Sequence, residues 1–270
     1  MVRGALQVAA VVGLAIGATT VAAAGFPAFP LRRCQPDAVV AGTLCLDRYE
    51  ASVWRVPNPT TANASLVTKI QLGRATQADL TAAGATQLGI AGDDYAPCAD
   101  NGQNCADDIY AVSLPSVIPS AFITWFQAQQ ACANSGKRLP TGAEWQVGAN
   151  GTPDAGPDNG TTDCNTESQV GVAAATGSRT ACVSARGAFD MVGNLAEWVA
   201  DWVPASTLCP GWGSFSDDEM CLAGSTTTTF GPGALTRGGS FISGTDGGPF
   251  AVRGRRPNIS FGFIGFRCGR

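Results

Sequence analysis

Ten cysteines constrain this 270-residue chain more than any other feature: Cys34, Cys45, Cys98, Cys105, Cys132, Cys164, Cys182, Cys209, Cys221 and Cys268. The number is even and no C-x-x-C spacing occurs, so the pattern reads as structural disulfides rather than metal ligation. Such disulfides persist only in an oxidising compartment. Ten thiols allow hundreds of connectivities. Sequence proximity favours the local loops Cys34–Cys45, Cys98–Cys105, Cys164–Cys182 and Cys209–Cys221, which leaves Cys132 to Cys268 and would tie the C-terminal tail to the middle of the chain.

The N-terminus points to the same compartment. Arg3 supplies a positive n-region, Leu6 to Val21 an apolar stretch, and Ala22-Ala23-Ala24 a small-residue cleavage site before Gly25. Residues 1–24 are therefore expected to be a signal peptide, with an uncleaved anchor as the alternative. No later stretch is long and apolar enough to span a bilayer. The expected location is extracytoplasmic, either periplasmic or secreted. Residues 25–39 form a proline-bearing lead-in.

There is no histidine. That removes Ser-His-Asp and Cys-His catalysis, histidine-bound zinc and imidazole acid–base chemistry. The net charge of −4, or −5 once Arg3 leaves with the leader, gives no basic field for nucleic acid. With 34 glycines and only 14% charged residues, a loop-rich fold is expected rather than a helical bundle.

Along the chain, Leu44 to Glu50 alternates as a strand. Residues 57–105, rich in Ala, Thr, Gly, Asn and Asp, read as a long loop or insertion pinned by Cys98–Cys105. Thr124 and Gln127 form a capping box before a helix carrying Trp125, Ala128, Ala131 and Cys132 on one face, closed by Gly136. Thr141 and Glu144 form a second box before a short helix with Trp145, Gly148 and Ala149 on one side. Asn150 to Asp163 is a polar loop whose Asp154, Asp158 and Asp163 are calcium-friendly but lack EF-hand spacing. Asn194 and Glu197, beside Gly193 and Trp198, suit a hard cation; pairing of Glu197 with a tail arginine is equally consistent. Residues 203–236 read as another surface loop. The tail, Arg237 to Arg270, holds six of the fifteen arginines and a single acid, Asp246.

Three blocks, in order, resemble the formylglycine-generating enzyme, or sulfatase-modifying-factor, family. They are Thr124-Trp125 through Gly136-Lys137-Arg138-Leu139-Pro140-Thr141-Gly142-Ala143-Glu144-Trp145, then Asp190-Met191-Val192-Gly193-Asn194-Leu195-Ala196-Glu197-Trp198, and Arg237-Gly238-Gly239-Ser240-Phe241 through Ile264-Gly265-Phe266-Arg267-Cys268. Asp47-Arg48-Tyr49-Glu50 looks like the family's opening strand. The resemblance spans about residues 40–270 as one domain, with 57–105 poorly matched. It implies an α+β, irregular, disulfide-rich variant of the C-type-lectin-like fold, with first and last strands paired and Cys132 joined to Cys268. It also implies structural calcium held by Asn194, the Leu195 backbone and Glu197, and a second calcium near Asn165.

The family's oxidation of a sulfatase cysteine uses copper held by two thiols after the GGS motif, since cuprous ion prefers thiolate. Counting from Gly238-Gly239-Ser240 places Gly248 and Arg253 at those two positions. The tail's only cysteine, Cys268, is the structural one, so copper and the oxidase activity are not expected, and no catalytic residue is assigned. The first reading is a non-catalytic domain that binds a protein, peptide or glycan through a C-terminal groove of Phe241, Asp246, Phe250 and Arg253. One alternative is a formylglycine-generating-type oxidoreductase acting on a sulfatase cysteine, or an altered oxidative enzyme in which Asp246 or Tyr49 acts without thiols. Another is a diversified C-type-lectin-like ligand-binding protein of the retroelement kind. Arg256 and Arg267 are expected in internal ion pairs.

Overall fold

A computed structural model describes residues 33–105, 108–154, 158–167, 171–203, 209, 211–222 and 232–270. The proposed signal peptide and residues 25–32 of the lead-in lie outside the described residues. Strands β1 (Ala38–Ala41) and β2 (Leu44–Asp47) form an antiparallel hairpin. Strand β3 (Ala51–Arg55) lies between β4 (Thr86–Leu88) and β5 (Ile109–Ser113), antiparallel to both. The remaining strands are β6 (Ala196–Val203), β7 (Met220–Cys221), β8 (Gly233–Arg237), β9 (Val252–Arg255) and β10 (Ile264–Phe266). They make a mixed sheet in the order β10-β6-β8-β9-β7, in which β10 runs parallel to β6 and β7 parallel to β9.

Helices α1 (Ala64–Gln71), α2 (Gln77–Ala82), α3 (Trp125–Asn134) and α4 (Gly142–Ala149) cover these sheets. The alternation of side chains along β5 explains how two cores share one strand. Ile109 and Ala111 face a core built with α3, Trp198 and Phe266, while Tyr110 and Val112 face a second core with Leu66, Ile70 and Leu80. A third cluster packs Trp145 and Ala149 of α4 against Val39, Ala41, Leu44 and Leu46 of the first hairpin. Both capping boxes read from the sequence are present, Thr124 with Gln127 and Thr141 with Glu144. No helix among the described residues is long and apolar enough to cross a membrane.

The last residues of the chain close the molecule. Cys45 and Arg270 exchange backbone hydrogen bonds of 2.9 Å in each direction, and the Asp47 N–H donates to the Cys268 carbonyl at 2.8 Å. On its other side this segment bonds the turn after α3, where Arg138 and Gly269 exchange bonds of 2.9 and 2.8 Å. The opening hairpin thus meets the residues that follow β10, while β10 itself pairs with β6. Disulfides join Cys34 to Cys45, Cys98 to Cys105, Cys132 to Cys268, Cys164 to Cys182 and Cys209 to Cys221.

Three expectations need correction. Residues 57–105 are not a long loop, because α1, α2 and β4 lie within them. Their apolar signal is thin: α1 buries only Leu66 and Ile70, one turn apart, and α2 only Leu80, so periodicity is hard to see among Ala and Thr. The start of α2 is nonetheless marked by a capping box, Thr76 with Asp79. Residues 203–236 are not wholly surface loop either; β7 and the start of β8 fall there, and both pair with β9. Arg256 is exposed and makes no ion pair among the described residues, whereas Arg267 is fully buried and paired.

The Cys132–Cys268 bridge spans 136 residues of sequence and anchors the closing segment to α3. Replacing both cysteines by alanine should destabilise the protein by about 4–5 kcal/mol, the chain-entropy expectation for so long a loop. Denaturant unfolding of the double variant checks this, and a change below about 1 kcal/mol would contradict it.

Candidate functional site

Behind the tail lies a buried polar centre. Trp145 enters it from α4, Glu197 from β6 and Arg267 from the residue after β10. The Arg267 guanidinium donates to both Glu197 oxygens at 2.5 to 2.9 Å, and the Trp145 indole N–H donates to Glu197 Oε2 at 2.7 Å. Arg267 also donates to the carbonyls of Asp47 at 3.1 Å and Phe189 at 2.8 Å. One guanidinium therefore ties the opening strand, the Asp190 turn and β6 together. Burial works against its charge, but Glu197, with Glu50 and Asp190, outweighs burial and holds Arg267 above its ordinary pKa.

Two more acids stand close by. Glu50, fully buried, accepts from the Leu195 N–H at 2.9 Å through Oε1 and from the Asn194 amide through Oε2. Burial, with the charges of Asp190 and Glu197 added, pushes Glu50 well above the carboxylate range. Burial also pushes Asp190 up to about 6, against the 2.7 Å hydrogen bond it accepts from the Gly177 N–H. Asp190 and Asn194 both sit at positive φ, 56° and 58°, in a tight turn. Gly193 between them presses on the Asn165 carbonyl where any Cβ would collide, so only glycine fits.

This geometry does not fit the calcium expected at Asn194, Leu195 and Glu197. Both Glu197 oxygens already face a guanidinium and an indole N–H. Asn194 Oδ1 accepts from the Asn165 amide at 3.1 Å and the Ala174 N–H at 2.7 Å. The second family calcium fares no better, since Asn165 Oδ1 accepts from Arg179 at 3.4 Å and Arg179 pairs with buried Asp158 at 2.9 Å. Fixed cations and N–H groups stand where oxygen ligands would have to turn toward a metal. Glu50 went unassigned as a site residue in the sequence, where it reads only as the end of an alternating strand.

The four residues expected to share a groove have different surroundings. Phe241 lines an apolar groove of about 480 Å³ with Phe122, Ile242 and Phe263, and none of the other three residues lines it. Asp246 is exposed, ends a 3-10 turn (Gly244–Asp246), and accepts through its carbonyl from the Glu219 N–H at 3.0 Å. Phe250 packs in an aromatic trio with Trp212 and Phe215, at centroid distances of 6.3 and 5.1 Å. Arg253 makes a half-exposed ion pair with Glu219 at 2.7 Å.

The buried centre generates two predictions. Arg267→Met should cost about 3–5 kcal/mol, because it leaves Glu197, Asp190 and Glu50 buried without their cation; urea unfolding measures it. The second concerns pH. Asp190 is raised to about 6, so its stabilising contribution is complete below about pH 4 and is lost as pH rises through about 6; Glu50, raised well above the carboxylate range by burial, acts in the same direction. The lowered carboxylates, Glu144 and Asp79 at about 2, change only below that window. Stability should therefore fall as pH rises from about 4 through about 6, and Asp190→Asn should flatten the fall by about 1–3 kcal/mol. An unchanged slope in the variant contradicts this assignment.

No curated protein sequence matches the chain. Among solved structures, it is similar to the Major Tropism Determinant M1 variant, with 19% identity over 87% of this chain and 54% of that one, at a TM-score of 0.44. PvdO from Pseudomonas aeruginosa matches with 18% identity over 84% of this chain and 80% of that one, at a TM-score of 0.43. Treponema denticola variable protein 1 matches with 17% identity over 56% and 70% of the two chains, at a TM-score of 0.37. The chain spans about half the length of the tropism determinant. The family model for the sulfatase-modifying factor enzyme 1-like domain matches residues 100–270, which hold all three sequence blocks and, of the buried centre, Trp145, Asp190, Asn194, Glu197 and Arg267. This α+β, disulfide-rich chain, with its C-type-lectin-like fold, belongs to the sulfatase-modifying-factor family.

Proposed function

We propose that this chain is an exported, non-catalytic binding domain that takes an apolar side chain of a peptide or protein partner into the groove at Phe241 and Ile242. The observation that carries this reading is the groove itself. About 480 Å³ is lined by Ile90, Ile118, Phe122, Phe241, Ile242 and Phe263 among others, and no charged residue among the described residues lines it. Ile90 and Ile242 are 50% and 54% exposed, so the apolar rim faces solvent. Contiguous exposed apolar surface of this kind marks recognition sites in proteins without a membrane-facing role. A glycan would need polar donors that this lining lacks, which favours a peptide with an aliphatic or aromatic anchor.

An oxidase reading finds little support in the same residues. All ten cysteines are joined in disulfides, so the tail offers no thiol pair for a cuprous ion. Gly248 and Arg253 stand at the positions the family resemblance assigns to that pair. The five disulfides support the proposed export to an oxidising compartment.

A displayed peptide library panned on the full disulfide-bonded protein tests the proposal. Selected peptides should share a Leu, Phe or Trp anchor, and Ile242→Asp should weaken their binding at least about tenfold, equivalent to about 1.4 kcal/mol. Because Ile242 is exposed, the melting temperature should stay within about 2 °C. Undiminished binding to the variant would reject the groove as the capture site.

A further inference from the structure

A second feature lies on the other side of the tail, where the segment before β7 meets the turn before β9. Asp218 is only 2% exposed. Its Oδ2 accepts from the Phe250 N–H at 2.7 Å, while its Oδ1 is buried and has no hydrogen-bond partner among the described residues. Asp154 and Asp217, both exposed, converge on it, and one oxygen from each of the three carboxylates lies within 4.8 Å of the others. Burial, followed by the charge of Asp154, pushes Asp218 up to about 6. Arg237 lies within electrostatic reach, but its guanidinium donates to the Pro249 carbonyl at 3.2 Å and to Gln146.

The tail backbone makes room for these acids. A Cβ on Gly248 would overlap Asp218 Oδ1 and stand 2.5 Å from Asp154 Oδ1, so the two carboxylates approach as they do only because residue 248 is glycine. A buried carboxylate oxygen without a donor is costly, and like charges placed around it add to the cost. A bound cation would remove both penalties.

We propose that Asp154, Asp217 and Asp218 bind a calcium ion. The donors are all carboxylate oxygens, which suit a hard cation and disfavour soft metals. Two oxygens on one calcium, each at 2.3–2.6 Å, can stand up to about 5 Å apart, whereas octahedral magnesium at 2.0–2.1 Å allows only about 4 Å. All three oxygens lie within 4.8 Å of one another, inside the reach of a single calcium ion. Two of the three acids are exposed, which leaves a solvent side for water to complete the shell. The ion would join the loop at Asp154, the segment at Asp217–Asp218 and the tail at Gly248–Phe250.

Its effect would reach the aromatic trio next door. Phe250 is held at its N–H by Asp218 and at its carbonyl by the Trp212 indole at 3.2 Å. Phe215, 65% exposed, packs on both rings. Calcium at the acids would fix the backbone that presents these rings, independently of the apolar groove at Phe241.

Titration of the chelator-stripped, disulfide-bonded protein with calcium chloride or magnesium chloride tests the site by calorimetry and thermal melts. Calcium should bind with a Kd on the order of 10⁻⁴–10⁻³ M, as in extracellular modules, and raise the melting temperature more than magnesium does. Asp217→Asn, at an exposed position, should weaken binding at least about tenfold without altering the chelated protein's melting. Asp218→Asn should abolish the calcium response, while its chelated melting temperature stays unchanged or rises, because the buried charge is gone. No heat and no melting shift at about 10 mM calcium would overturn the proposal. So would a wild-type calcium response in both variants, which would place the ion elsewhere, or a larger shift with magnesium.

Discussion

The buried pair of Arg267 and Glu197 is the contact on which the rest of the molecule depends. A guanidinium removed from water is costly unless every donor is used, and here its partners come from three regions far apart in sequence. Glu197 fixes it to β6, the Asp47 carbonyl to the opening strand, and the Phe189 carbonyl to the turn ahead of Asp190. That multiplicity makes the pair a specificity device: no register shift of the last strand could satisfy the same donors. The Cys132–Cys268 bridge, one residue further on, locks covalently what the guanidinium selects.

Concentrating so much buried charge at one point has a consequence for function. Three carboxylates, Glu50, Asp190 and Glu197, share Arg267 as their common cation, and the first two are pushed upward in pKa. The centre is thus already held by protein donors, with Asn194 and Asn165 turned toward each other and toward backbone. A hard metal would have to displace these partners and then coexist with Arg267. Organic cations and amides provide here the order that the family resemblance attributes to calcium.

Legibility in the sequence followed the range of the interaction. Capping boxes at Thr124 and Thr141 are three-residue events, and both were readable. The disulfides were readable because four of the five close short loops and the fifth is what remains. The helices within 57–105 were not, since one or two buried side chains per helix give no period to detect. Neither was the role of Glu50, whose partners at Asn194 and Leu195 lie more than 140 residues away. The tail residues Phe241 and Phe250 looked like neighbours in a groove, yet the 3-10 turn between them gives each a different set of partners.

That divergence separates the tail into scaffold and surface. Gly238 lies against Trp145, and Cys268 with its neighbours closes the sheet, so the ends of the segment are committed to the fold. The stretch from Phe241 to Arg253 reaches solvent on two faces of opposite character: apolar at Ile242, acidic and aromatic around Gly248 and Phe250. At Gly248 the contrast with the resembling oxidase is chemical as well as steric. A thiol-bearing side chain there would have to occupy the space now filled by the Asp218 and Asp154 oxygens. Soft donors and hard carboxylates cannot both hold that position, and this chain carries the carboxylates.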